Sequence, residues 1–338
     1  MTITMTAPVL VGAAVAAGTG LHVSTWGAFK DSPFEGFHPG RLVRTLAVAQ
    51  AAALASVATG LVDPLAPLPA IGVVYTAERL ATEWWKTILR SHDAEAFTIP
   101  MRLGFRGRPV DAAWRRYAVG AAVIVAIVAV GLLVHAAQTV FTGAPLWLVI
   151  TTVGGLGGWA TALGGAWKDA PIEGFSGWKF LRSPVVATVW AVPCSLLTRD
   201  WVTLCLAAAG FAVATIETYK TFMTGDRPPG KFAGREPAHS VPATRRLLAT
   251  VHASTWLMLA IAGMCSAFHH PGAPTTRVLG QPAAPAASLA VAGTGLIAWG
   301  AVRGSGAVPH AQPTDSEPRG ERQVPVPATA ATTEPPDA

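Results

Sequence analysis

Nine stretches of largely apolar residues dominate this chain of 338 residues, at about 8–29, 43–62, 69–89, 117–137, 146–167, 183–198, 201–222, 247–268 and 285–302. Each is near the ~20 residues that a helix needs to cross about 30 Å of hydrocarbon. Only 13% of the residues are charged and 51% are hydrophobic, whereas a soluble domain carries about 25% charge. A chain of this kind must satisfy its backbone polar groups without water, which helices do internally. The expected fold class is therefore all-α, a polytopic integral membrane protein of about nine transmembrane helices. The sixth stretch is short and contains Pro193, so its limits are the least sharp. The first lacks a basic leader and a cleavage site, and is expected to be a retained helix.

Basic residues alternate between loops. Lys30, Arg41 and Arg44 follow the first stretch, and Arg90, Arg102, Arg106, Arg108, Arg115 and Arg116 follow the third. Lys168, Lys179 and Arg182 follow the fifth, and Arg227, Lys231, Arg235, Arg245 and Arg246 the seventh, whereas the intervening loops offer Arg199 and Arg277. Positive loops face the cytoplasm, so the expectation is a multi-pass plasma-membrane protein with its N-terminus outside and its C-terminus inside. The net charge of +6 is accounted for by topology, and no nucleic-acid partner is implied. Cys194, Cys205 and Cys265 lie in apolar stretches without metal-ligand spacing and read as small core residues.

Within this pattern the chain repeats itself. Lys30-Asp31-Ser32-Pro33-Phe34-Glu35-Gly36-Phe37 returns as Lys168-Asp169-Ala170-Pro171-Ile172-Glu173-Gly174-Phe175. Glu83-Trp84-Trp85-Lys86-Thr87 returns as Glu217-Thr218-Tyr219-Lys220-Thr221, and Arg115-Arg116 as Arg245-Arg246. The distance between copies shortens only slightly from the first pair to the last, so the copies are collinear with small deletions. The expected organisation is a four-helix repeat over 1–137, a second over 138–268, a ninth transmembrane helix within 269–303, and a disordered cytoplasmic tail over 304–338. Four spans per repeat give both halves one orientation, and hence a pseudo-two-fold axis along the membrane normal. A second echo, His22-Val23-Ser24-Thr25-Trp26 and His252-Ala253-Ser254-Thr255-Trp256, fits no such offset. Each histidine is expected to bond to a neighbouring helix, and the tryptophans mostly to anchor span ends at the interface.

The duplicated charged motifs are the candidate site. Proline between Asp and Glu points to a turn through K-D-x-P-x-E-G-F, on which Asp31, Glu35, Asp169 and Glu173 are candidate ligands for Mg²⁺, an oxygen-preferring ion that bridges to phosphates. Lys30, Arg44, Lys168, Lys179 and Arg182 are candidate phosphate contacts. Glu83 and Lys86, with Arg79 in reach of Glu83, share a helical face. With Glu217, Lys220 and Asp93 they form the candidate catalytic set, because ionisable groups below headgroup level mark a site or a wet cavity. The bland alternatives are a folding corner for the first motif and a helix-gluing Glu–Lys pair for the second.

Over a few residues, Glu35-Gly36-Phe37 and Glu173-Gly174-Phe175 resemble the E-G-F segment of CTP-dependent phosphatidate cytidylyltransferases and, more loosely, of polyprenol kinases. Nine spans with acidic motifs in both halves are similar to UbiA-type prenyltransferases, whose N-D-x-x-D-x-x-x-D motif is absent. No residue role carries over from either. The functional expectation is a membrane enzyme acting on a phosphate- or diphosphate-bearing lipid or isoprenoid, with Mg²⁺ as cofactor. The alternatives are a transporter or channel with a central Glu/Lys site, and a non-catalytic membrane scaffold.

Overall fold

The computed structural model describes residues 7–63, 66–90, 103–105, 108–224, 232 and 235–269. They are mostly helical. The helices are α1 (Ala7–Glu35), α2 (Pro39–Ala58), α3 (Pro67–Trp84), α4 (Ala113–Val140), α5 (Leu146–Val149), α6 (Gly155–Glu173), α7 (Gly177–Ser195), α8 (Trp201–Thr218) and α9 (Pro242–His269). Three wide π turns prolong or join them: Trp85–Leu89 after α3, Ile150–Gly154 between α5 and α6, and Tyr219–Met223 after α8. A two-residue hairpin, Gly104–Phe105 with Arg108–Pro109, precedes α4.

The eight expected spans within the described residues each coincide with a helix. Five helical runs are long and apolar enough to cross a membrane: Pro39–Ala58, Ala113–Val140, Leu146–Ala170, Trp201–Met223 and Pro242–Gly263. α1, α3 and α7 fall outside that set, and α3 carries Glu78, Arg79 and Glu83. The ninth stretch, 285–302, and the expected tail, 304–338, lie outside the described residues.

Local chemistry sets the helix ends. Proline opens α2 and α3, where its missing N–H would have no helical partner anyway. Asp200 caps α8 by accepting from the Thr203 N–H at 2.6 Å, a standard N-cap bond. The duplicated motif departs from the expected turn. α1 runs through Pro33 to Glu35, and α6 reaches Glu173. A proline one turn from a helix end removes one backbone hydrogen bond without stopping the helix. The reversal falls on glycine: Gly36 and Gly174 take φ of +77° and +78°, and their N–H groups donate to Ser32 O and Ala170 O, both at 3.0 Å. A side chain rarely tolerates that conformation, which explains a glycine after each glutamate.

α3 and α8 pack together at the centre, with α1, α2 and α9 on one side and α6 and α7 on the other. Their approach depends on small residues: a Cβ on Gly72 would lie 2.5 Å from Ala207 O. On Gly210, a Cβ would strike Gly72 O. Small residues at the crossing are how helices pack where no hydrophobic force drives them together. Three tryptophans depart from the expected interfacial role: Trp26, Trp190 and Trp256 are buried. Trp190 stacks on Phe211 at 4.4 Å between ring centroids.

α4 stands apart. It is the most apolar span and the least buried, with 11% of its window covered. It is fastened at both ends, by Trp84 Nε1 donating to Gly120 O at 3.3 Å and by Gln138 at the start of α8. The Gln138 amide donates to Arg199 O at 3.1 Å and accepts from Trp201 N at 2.8 Å. Between those fastenings its middle leaves a gap toward α6 and α8.

Candidate functional site

The ends of α1, α3, α6 and α8 carry the charged motifs to one end of the bundle. Their lysines cross over. Lys168, from the second motif, reaches Glu83 Oε2 at 3.3 Å, and Lys30, from the first, reaches Glu217 Oε2 at 4.0 Å. Within each helix end the glutamate also holds the lysine three residues on, Lys86 to Glu83 and Lys220 to Glu217, both at 3.2 Å. Each glutamate therefore bridges a lysine of its own helix and a lysine of the opposite motif. The pairs survive the π turns that begin at Trp85 and Tyr219. These turns occupy matching places after Glu83 and Glu217.

The two clusters are not identical. Arg79 bonds Glu83, lies 3.8 Å from the buried Glu78, and sits over the Trp26 ring at 5.4 Å. Lys30 sits over the same ring at 4.8 Å. The offset that takes Glu83 to Glu217 takes Arg79 to Val213, so one cluster has an extra cation.

Both clusters open on one cavity of about 2410 Å³. Its wall contains Lys30, Asp31, Arg44, Glu83, Lys86, Lys168, Asp169, Lys179, Arg182, Glu217 and Lys220. Eleven of the residues singled out in the sequence are thus gathered on one surface. Arg41 and Arg79 line it too, which makes nine basic side chains against four carboxylates. Sequence spacing placed Arg79 beside Glu83, and the repeat matched Arg41 to Lys179 without assigning it to the site. Away from the charged end the same cavity runs between α4, α6 and α8, along Val123, Ile127, Val130, Leu163, Leu206 and Val213.

The other expected residues fall elsewhere. Glu35 is off the cavity wall, with Arg41 Nη1 donating to its Oε2 at 2.6 Å. Glu173 ends α6 with its side chain outside the described residues, and Asp93 lies outside them altogether. Among the described residues no group of three or more His, Cys, Asp or Glu side chains is disposed to hold a metal ion. Asp31 and Asp169 each face the cavity, so a metal there would draw most of its ligands from an incoming molecule.

The second echo has its own address. His22 and His252 are fully buried where α1 packs on α9, with ring centroids 4.1 Å apart. His22 Nδ1 lies 3.3 Å from Tyr75 Oη, which accepts from Trp26 Nε1 at 2.9 Å. His252 lies 3.0 Å from Thr25 Oγ1 and 2.9 Å from Thr218 Oγ1. Thr218 also accepts from Trp256 Nε1 at 3.1 Å. Each histidine bonds a neighbouring helix as expected. Their contact with one another was not foreseen, although the repeated H-x-S-T-W was its signal.

No protein-family model, no curated protein and no solved structure matches this chain.

Proposed function

We propose that this is an integral membrane enzyme acting on a phosphate- or diphosphate-bearing lipid or isoprenoid, bound with its anionic head among the crossed clusters and its hydrocarbon between α4, α6 and α8. One observation carries the reading: a single cavity joins an end rich in cations to a cleft walled by aliphatic side chains. Such a surface fits an amphiphile with a negative head and fits a soluble anion or a neutral lipid poorly. Phosphate chemistry rests largely on positioning and on fixed positive charge where negative charge develops. Lys86, Lys220 and Arg182 are the groups for that task, with Lys30 and Lys168 fixed by the glutamates they cross to. Mg²⁺ in this reading arrives on the ligand's phosphates, with Asp31 and Asp169 adding a protein oxygen.

The matching glycine corners, the matching π turns and the crossed ion pairs support two parallel four-helix halves related by an axis along the membrane normal. In that frame the charged end faces the cytoplasm and the N-terminus lies outside, in the plasma membrane. A second reading, a transporter, draws on the same crossed pairs, since they bind one half to the other at the mouth of the cavity.

Purified protein in detergent should gain thermal stability from a prenyl phosphate or phosphatidic acid, and little from phosphatidylcholine. Arg182→Ala should weaken that binding by about tenfold, the loss of one charge-assisted hydrogen bond. Equal responses to the zwitterionic lipid, or an Arg182→Ala variant that binds unchanged, would overturn the reading. Turnover of the phosphate separates enzyme from transporter, which would show flux in liposomes abolished by Glu83→Gln.

A further inference from the structure

The aliphatic part of the cavity lies along α4, α6 and α8, and the offset between the repeated motifs shows what is missing there. At the α1–α9 contact three large side chains, His22, His252 and Trp256, fill the space between helices, all of them buried, while Trp26, one turn on from His22, is held against α3 by Tyr75. The offset that takes Lys30 to Lys168 takes His22 to Ala160 and Trp26 to Gly164, both on α6. The offset that takes Arg245 back to Arg115 takes His252 to Ala122 and Trp256 to Ala126, both on α4. Ala126, Ala160 and Gly164 all line the cavity. The α4–α6 side is open where the α1–α9 side is filled by rings.

The opening is held, not loose. Gln138 fastens the outer end of α4 to Arg199 and Trp201, and Gly120 at the charged end carries the Trp84 bond. The cleft is open along its length rather than closed over, since α4 is the least buried of the apolar helices. Its walls are aliphatic, a surface that suits a hydrocarbon chain. Along α4 the lining runs from Val119 to Val134, a rise of about 22 Å at 1.5 Å per residue. One leaflet's share of the hydrocarbon core is only about 15 Å.

We infer that the α4–α6 cleft is the receptacle for the ligand's chain, and that the chain is an isoprenoid long enough to pass the bilayer midplane. This rests on the reading of the charged end as a phosphate site and specifies which phosphate-bearing molecule enters. Ala126, Ala160 and Gly164 set its specificity by leaving out the rings that close the opposite side.

The test fills the cleft with the missing rings. Ala126→Trp and Gly164→Trp, singly and together, are compared with wild type for binding of prenyl monophosphates of increasing length, a soluble short-chain alkyl phosphate, and phosphatidic acid. The long prenyl phosphate should bind wild type more tightly than either comparison ligand, and the double variant should lose at least about tenfold of that affinity, as expected when a ring occupies space the chain needs. The short-chain phosphate should bind the variants and wild type alike, which also verifies that the variants are folded. Should the variants misfold, Ile127→Phe narrows the same cleft with a smaller change and must show the same selective loss. Long-chain binding that is unaffected by the substitutions overturns the inference, as does phosphatidic acid matching the long prenyl phosphate. Failure of the charged end is a different result: the short-chain phosphate would then bind neither wild type nor variant.

Discussion

Lys168 and Glu83 come from opposite halves of the sequence and meet at 3.3 Å. The pairing ties Lys168 to a glutamate that Lys86 and Arg79 already hold, and charges beside an apolar cleft are costly unless they are paired. Reversing one, Lys168→Glu, puts two carboxylates together beside Arg79 and Lys86, and should lower the midpoint of thermal unfolding. Adding Glu83→Lys should recover part of the loss, with a coupling energy of about 1 kcal/mol, toward the upper end for partly exposed pairs. Strict additivity of the two substitutions would mean that the contact contributes nothing. The presence of charged partners at this end was legible from the repeated motifs. Their crossing was not, because sequence spacing reports neighbours along one helix and says nothing about which helix end meets which. Arg41 shows the same limit. It lies six residues from the glutamate it holds, across a corner whose backbone is fixed by Gly36.

At the scale of elements, the centre of the molecule is the α3–α8 crossing, where two glycines let backbones touch. Gly72→Val should destabilise the protein by at least about 3 kcal/mol, the upper range for overpacking, because the new side chain meets backbone that cannot turn aside. Gly40→Ala, at a position with open space, is the control and should change little. A Gly72→Val protein that melts like wild type would show that α3 and α8 can separate without loss. Apolar length made the helices themselves readable. The continuation through Pro33 was not readable, since a proline near a helix end costs one bond and leaves the choice to the following glycine. Nor were the π turns after Glu83 and Glu217, which no residue type announces. The stand-off of α4 also escaped the sequence: an apolar helix looks the same whether its neighbours pack against it or leave a cleft.

For the whole molecule, the duplicated motifs sit between unequal flanks. The charged ends are close to equivalent, with a bridging glutamate and a crossed lysine in each. The flanks are not, since one is closed by His22, His252 and Trp256 and the other is open along small residues. A folding corner duplicated with its helices would explain the first fact without the second. A site for a headgroup and a chain explains both, because the head needs the converging charges and the chain needs one open flank.

The most direct measurement is to photolyse the protein, reconstituted in lipid, with a prenyl phosphate carrying a photoreactive group midway along its chain, and to map the labelled residues. The account predicts label on the facing sides of α4, α6 and α8, around Ile127, Leu163 and Leu206, with a loss of label when unlabelled long-chain prenyl phosphate competes. Label confined to the outer faces of the helices, or scattered without competition, would contradict it.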